Sequence, residues 1–158
     1  MKRILVDCYF FENEFQGSRT YLKQLYQNIF EFESRKPNHE RNTYFLSSYN
    51  IEVLKKEFKD YEFVKLIKHK FKSRYSRLLF EFPAIIISKK IDIAHFQYKV
   101  PPLKFCTYVL TVHDVLFLDN IEFTGIKYFL INKFSIQFSY NISEIVLTVS
   151  DFSKNQIL

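Results

Sequence analysis

Glycine is nearly missing from this sequence. The 158 residues include 2, Gly17 and Gly125, where average usage of ~7% would supply about 11. A G-x-G-x-x-G dinucleotide loop or a P-loop needs closely spaced glycines where the backbone meets phosphate. Neither can be written here, which removes the usual NAD, FAD and ATP sites. Cysteine is scarce too. Cys8 and Cys106 both sit in apolar, strand-like surroundings and read as reduced core residues of a cytosolic protein. A buried disulfide or a reactive thiol is the alternative. No Cys/His cluster has zinc spacing, so no metal and no cofactor is expected. No apolar run approaches the ~18 residues of a membrane span; residues 83–88 and 108–112 are strand- or helix-sized. The opening Met1-Lys-Arg-Ile-Leu-Val-Asp7 turns acidic at once and reads as a strand rather than a signal peptide.

Hydrophobic residues, 47%, and charged residues, 25%, have globular proportions. Tryptophan is absent, but there are 19 phenylalanines and 11 tyrosines. So many rings exceed what a core alone needs and suggest an apolar surface that something covers. The net charge is +6, and the excess is concentrated. Lys65, Lys68, Lys70, Lys72, Arg74 and Arg77 follow one another with no intervening acid. Nucleic acid, an anionic membrane surface or a phosphorylated substrate would each suit such a stretch. So would a solvated loop.

Strand-length apolar runs alternate with segments of helical period. Strands are expected at residues 3–7, 43–49, 62–67, 92–96, 107–113 and 144–149. Helices are expected at 18–32, 51–59, 73–89 with an interruption near Pro83, 125–142, and from Asp151 onward. Ser18 is placed as a helix cap and Gly17 as a tight turn. The inner face of the 125–142 helix is taken as Phe129, Asn132, Lys133 or Phe134, Gln137, Phe138 and Asn141. Parallel strands need crossovers, so the alternation predicts an α/β fold: a doubly wound, mainly parallel Rossmann-like sheet in the order 3-2-1-4-5-6. The chain stops soon after the Ser150 helix begins, which reads as half of something larger.

In such sheets function gathers at the carboxyl ends of the strands. The loop after the first strand leads to Gly17, Ser18 and Arg19, where a helix amino terminus can meet an anion; a plain strand–helix turn is the alternative. His95 and His113 fall at neighbouring strand ends, with Asp114 beside the second. A histidine there can hydrogen-bond an anion or a sugar hydroxyl, or transfer protons. Each could equally be a structural histidine.

The residue blocks Ile4–Asp7, Gln16-Gly-Ser-Arg-Thr-Tyr21, Asp92-Ile-Ala-His-Phe96, Thr111-Val-His-Asp114 with Val115 to Leu118, and Leu147-Thr-Val-Ser-Asp-Phe-Ser-Lys154 with Asn155 to Leu158, in this order, resemble the N-terminal domain of the family 4 glycosyltransferases. These are retaining, metal-independent enzymes of GT-B fold. The resemblance covers nearly the whole chain and is most specific at Thr111–Asp114 and at 149–154. It implies two Rossmann-like domains facing a cleft. The N-terminal domain, residues 1–158, binds acceptor, and a C-terminal domain absent from this chain binds the nucleotide sugar. It further implies donor-phosphate contact at Gly17 and Ser18, a catalytic histidine at His113, and acceptor or cleft-lining roles for Arg19, His95, Asp114 and Ser150. The family's first loop often holds more glycine. Its paired glutamates, with seven residues between them, belong to the C-terminal domain, and no two glutamates here have that spacing.

The expected function is transfer of a hexose, with retention, to a glycan or lipid-linked acceptor in cytoplasmic polysaccharide biosynthesis. The isolated chain is expected to be inactive and prone to self-association. The basic segment would act as an anion surface at the inner face of the membrane, with no role for nucleic acid. Two rivals stand beside this. One is a non-catalytic anion- or nucleic-acid-binding α/β module using residues 65–77. The other is an accessory subunit that pairs with a separate donor-binding chain.

Overall fold

In the computed structural model, residues 1–12, 17–58, 60–113, 126–151 and 154 are described. Six strands form one sheet: β1 (Arg3–Asp7), β2 (Thr43–Ser48), β3 (Val64–Lys68), β4 (Ile93–Gln97), β5 (Thr107–Val112) and β6 (Ile145–Thr148). All neighbours are parallel, and the order is β3-β2-β1-β4-β5-β6, as the alternation predicts. The arrangement is α/β and Rossmann-like, and the order in which strands are added reverses between β1 and β4 while every strand keeps the same direction. Among the described residues no helix is long and apolar enough to cross a membrane.

Both sheet faces are covered, and alternation along each strand divides the core in two. On one face, α1 (Gly17–Ser34) and α2 (Ile51–Phe58) bury Leu22, Tyr26, Phe30, Leu54 and Phe58 against Val6, Tyr44 and Leu46. Phe30 holds this layer together, its ring within 6 Å of those of Tyr26, Tyr44, Phe58, Tyr61 and Phe63. On the other face, α4 (Phe82–Lys89) and α5 (Ile126–Ile142) bring Phe82, Ile86 and Ile142 onto Leu5, Phe45, Phe96, Tyr108 and Leu110. Cys8 is buried in the first layer and Cys106 half-buried; both are free thiols.

The interruption expected near Pro83 is a widened turn rather than a break. After the short helix α3 (Arg74–Ser76), capped by Ser73, the chain makes a π-helical turn over Arg77–Glu81 before α4 begins. Proline has no N–H to donate to the preceding turn. Here the Phe82 N–H reaches back to the Arg77 carbonyl, and Pro83 falls in the first turn of α4, where a missing N–H costs nothing. The wider turn swings both Arg77 and Glu81 into the interior.

Two other expectations are corrected. Gly17 opens α1 itself, so neither a tight turn at Gly17 nor a cap at Ser18 is seen; Ser18 lies inside the first helical turn. The buried side of α5 is Asn132, Ile136 and Ser139, whereas Phe134, Gln137 and Phe138 face outward. The reason is hydrogen bonding. Lys99 Nζ donates to Asn132 Oδ1 at 2.8 Å, and the Val100 N–H donates to Ser139 Oγ at 3.2 Å. The loop after β4 needs polar partners at that position, and α5 supplies them from its inner side.

Candidate functional site

At the carboxyl edge, parallel register brings β4 and β5 side chains together, with Gln97 opposite Thr111. The α1 side of these strands is polar. His95 Nδ1 lies 2.7 Å from Tyr26 Oη on α1, and His95 Nε2 lies 2.7 Å from Thr111 Oγ1 and 3.3 Å from Gln97 Nε2. Gln97 Oε1 accepts from His113 Nε2 at 2.7 Å. A carbonyl oxygen only accepts, so this amide orientation places a proton on His113 Nε2. The Gln97 NH2 then faces His95 Nε2, which serves as an acceptor when the His95 proton sits on Nδ1 and points to Tyr26. Burial pushes the His95 pKa down to about 4, assisted by the nearby His113 charge and opposed by Asp7. His95 is therefore neutral at physiological pH, and its ring orients Gln97, which in turn orients His113.

His113 lies just past β5 and is buried. Three rings enclose it: Phe10 from the turn after β1 (6.0 Å), Tyr21 from α1 (5.1 Å) and Tyr98 from the end of β4 (5.7 Å). Tyr98 has φ 60°, and the Lys99 N–H bonds the Gln97 carbonyl at 2.7 Å across it. The result is a γ-turn of the strained hand. Such strain persists where the surroundings hold it in place; here the Tyr98 ring lies beside those of Phe10 and His113.

Tyr21 is one helical turn on from Gly17 and Ser18, so the amino terminus of α1 and His113 share this edge. A Cβ on Gly17 would meet no atom within 4 Å; the space beside it is open. Arg19 turns toward α2, 3.6 Å from Glu57 and over the Phe11 ring. Ser150 is exposed beyond β6, its carbonyl accepting from Thr148 Oγ1 and the Lys154 N–H. Asp114 lies outside the described residues.

The basic segment divides. Lys65, Lys68, Lys70 and Lys72 are exposed. Arg74 is half-buried and donates to the Gln97 carbonyl at 2.7 Å. Arg77 is buried; its Nη1 donates to the Phe71 and Lys72 carbonyls, and its guanidinium lies 4.5 Å over the Tyr9 ring. A phosphate-tracking stripe would thus have four outward cations at its disposal rather than six.

Several residues at this edge were not singled out by their sequence. His69, just past β3, is buried between two carboxylates, its Nε2 3.8 Å from Asp7 Oδ1 and its Nδ1 3.8 Å from Glu81 Oε2. Neither ring nitrogen has a hydrogen-bond partner. Glu81 accepts the N–H groups of Lys70 and Phe71 and so ties the basic loop to the π-turn. Lys99 is buried, and its pKa is lowered to about 8, first by burial and then by Arg74. His69 and Tyr98, like His113, stand at the first position after a parallel strand, and that rule would have found them. A separate cavity of about 510 Å³ beside β6 is lined by Tyr140, Ser143, Glu144, Val146, Thr148 and Lys154 and shares no residue with this edge. Among the described residues no group of His, Cys, Asp and Glu is arranged to hold a metal.

No protein-family model, curated protein or solved structure matches the chain. The chemistry therefore has to be read from the edge itself: a helix amino terminus, an oriented histidine in an aromatic enclosure, and the basic side chains of Arg74, Arg77 and Lys99 drawn inward from the loops beside it.

Proposed function

We propose that this chain is the acceptor-side domain of a glycosyltransferase that uses a nucleotide sugar and transfers a hexose, with retention, to a glycan or lipid-linked acceptor. One observation carries the reading: the segments that hold the resembling motifs, the first turn of α1 and His113 with its Gln97 support, meet at one carboxyl edge. Charge develops on a departing nucleoside diphosphate. Preorganised N–H groups at a helix amino terminus stabilise such charge, and the open space beside Gly17 admits an approach. His113, fixed by Gln97 and shielded by three rings, orients the donor sugar or its leaving group. A second Rossmann-like domain supplies most of the donor contacts, and the work is cytoplasmic.

Magnitudes limit what this domain does alone. One helix terminus contributes about 0.3–1 kcal/mol, or ~2 when partly buried, while even millimolar affinity corresponds to about 4 kcal/mol. Calorimetry of residues 1–158 with a panel of uridine, guanosine and adenosine diphosphate sugars is expected to show binding weaker than millimolar and no transfer. Supplied with a donor-binding domain, the His113→Ala protein should lose about 10²–10³ in kcat. Micromolar affinity of residues 1–158 for any of these sugars would overturn the half-enzyme reading.

A further inference from the structure

The two helical layers differ in what they show to the outside. α1 and α2 present Gln24, Asn28, Glu31, Glu52, Lys55 and Lys56, with Phe32 the exception. The opposite layer is inverted. Along α5 the polar Asn132 and Ser139 are inside, while Ile131, Phe134 (70% exposed) and Phe138 are outside. Along the π-turn and α4, Leu79, Phe80 (64% exposed) and Ile87 point outward, and no exposed charge lies between them and Lys89, Glu81 being buried. The π-turn and α5 border a common cleft of about 170 Å³ lined by Tyr75, Leu79 and Phe138, so the outward apolar sides of the two elements adjoin there. A helix that is apolar on its outward side is usually covered.

The charge around this face says by what. Lys65 stands opposite Phe45 in the register, on the α4 side of the sheet. Lys70 and Lys72 lead into α3, Lys89 and Lys90 close α4, and Lys133 lies on α5; all are exposed. From residue 64 to residue 112 there are two acids. Glu81 is buried, and Asp92 accepts the Arg3 N–H at 2.7 Å. Among the described residues of α3, the π-turn, α4 and α5 no acid is exposed, so a second copy on this face would set lysine against lysine. A nucleic acid would leave the aliphatic and phenyl groups uncovered. We propose that the α4/α5 layer lies on an anionic lipid surface, with Phe80, Leu79 and Phe134 entering the acyl boundary and the lysines meeting headgroups. The arrangement is interfacial rather than spanning, and it holds whether or not the domain transfers sugar.

The test is flotation of residues 1–158 with vesicles of phosphatidylcholine alone or with 30% phosphatidylglycerol. The wild type should float with the anionic vesicles, and less so as salt rises. Lys70→Gln/Lys72→Gln should bind about 30-fold more weakly, roughly fivefold per basic residue. Phe80→Ser/Phe134→Ser, whose sites are exposed and leave the core intact, should fall to background while circular dichroism stays unchanged. Equal recovery of the wild type and either variant, or no flotation at all, would overturn the proposal. So would a concentration-dependent dimer that the phenylalanine pair abolishes without any effect on vesicles; that result assigns the face to a second copy.

Discussion

Acid should weaken this fold through His95. In the folded chain the imidazole is buried between Tyr26, Thr111 and Gln97 and titrates near about 4, against 6.5 for an exposed histidine. As pH falls through 6.5 the unfolded chain takes up a proton that the folded chain refuses. Stability therefore declines from about pH 6.5 until the folded group itself protonates near pH 4. The slope contributed is about 1.4 kcal/mol per pH unit, and integration between pH 7 and pH 5 gives a loss of about 2 kcal/mol from this one group. Against a typical domain stability of 5–15 kcal/mol, about 2 kcal/mol is readily measured. The assay is urea unfolding at a series of pH values, followed by circular dichroism because the chain has no tryptophan. His95→Gln retains a polar group but does not titrate. Its absolute stability will differ, so the diagnostic is the slope, which should be shallower than the wild type's between pH 6.5 and 5. Equal slopes in the two proteins would refute the reasoning.

Two further outcomes follow from single residues. Lys90 caps α4 in the left-handed region, with φ 51° and ψ 54°, so Lys90→Gly should stabilise the fold by about 0.5–1 kcal/mol; a lower midpoint in thermal unfolding would contradict this. Lys99, pushed down to about 8, should be about half neutral at pH 8, and stability should rise with pH between about 8 and 10.5, where the unfolded chain holds the extra proton. Carbon-detected NMR of its Cε checks this, and titration together with the surface lysines above pH 10 would disprove it.

The fold was legible because the strands are short apolar runs separated by helical periods, and parallel pairing with right-handed crossovers leaves few orders open. Strand ends shifted by a residue or two, as at β3, because hydrophobic pattern marks the middle of an element better than its limits. α5 was misread for a definite reason. Asn132 was placed inward, as the structure has it, but the phase drawn through it took in Gln137 and Phe138 and left out Ser139. The partner of Ser139, the Val100 N–H, lies 39 positions away in the chain and is invisible to a periodicity argument. The site was legible in part. His113 and His95 stood out as strand-end histidines, but the link between them runs through Gln97, whose partner lies 16 positions on and becomes a neighbour only through the β4/β5 register. Arg74 and Arg77 were read as members of a charged run. Their inward turn depends on the π-helical step, which nothing in local composition announces.

The lysines of β3 have a consequence apart from any ligand. β3 and β6 are the two margins of the sheet, and a margin offers a row of backbone groups to which another extended chain can add. On β3, Lys65 and Lys68 would meet any incoming strand with two positive charges and a strong hold on water. β6, Ile145-Val-Leu-Thr148, carries no charge, and Ile145 is half exposed. Among the described residues, growth of the sheet by strand addition is therefore guarded by charge on one side only. If the protein forms fibrils or exchanges strands under stress, Ile145–Thr148 is where the first extra strand should attach.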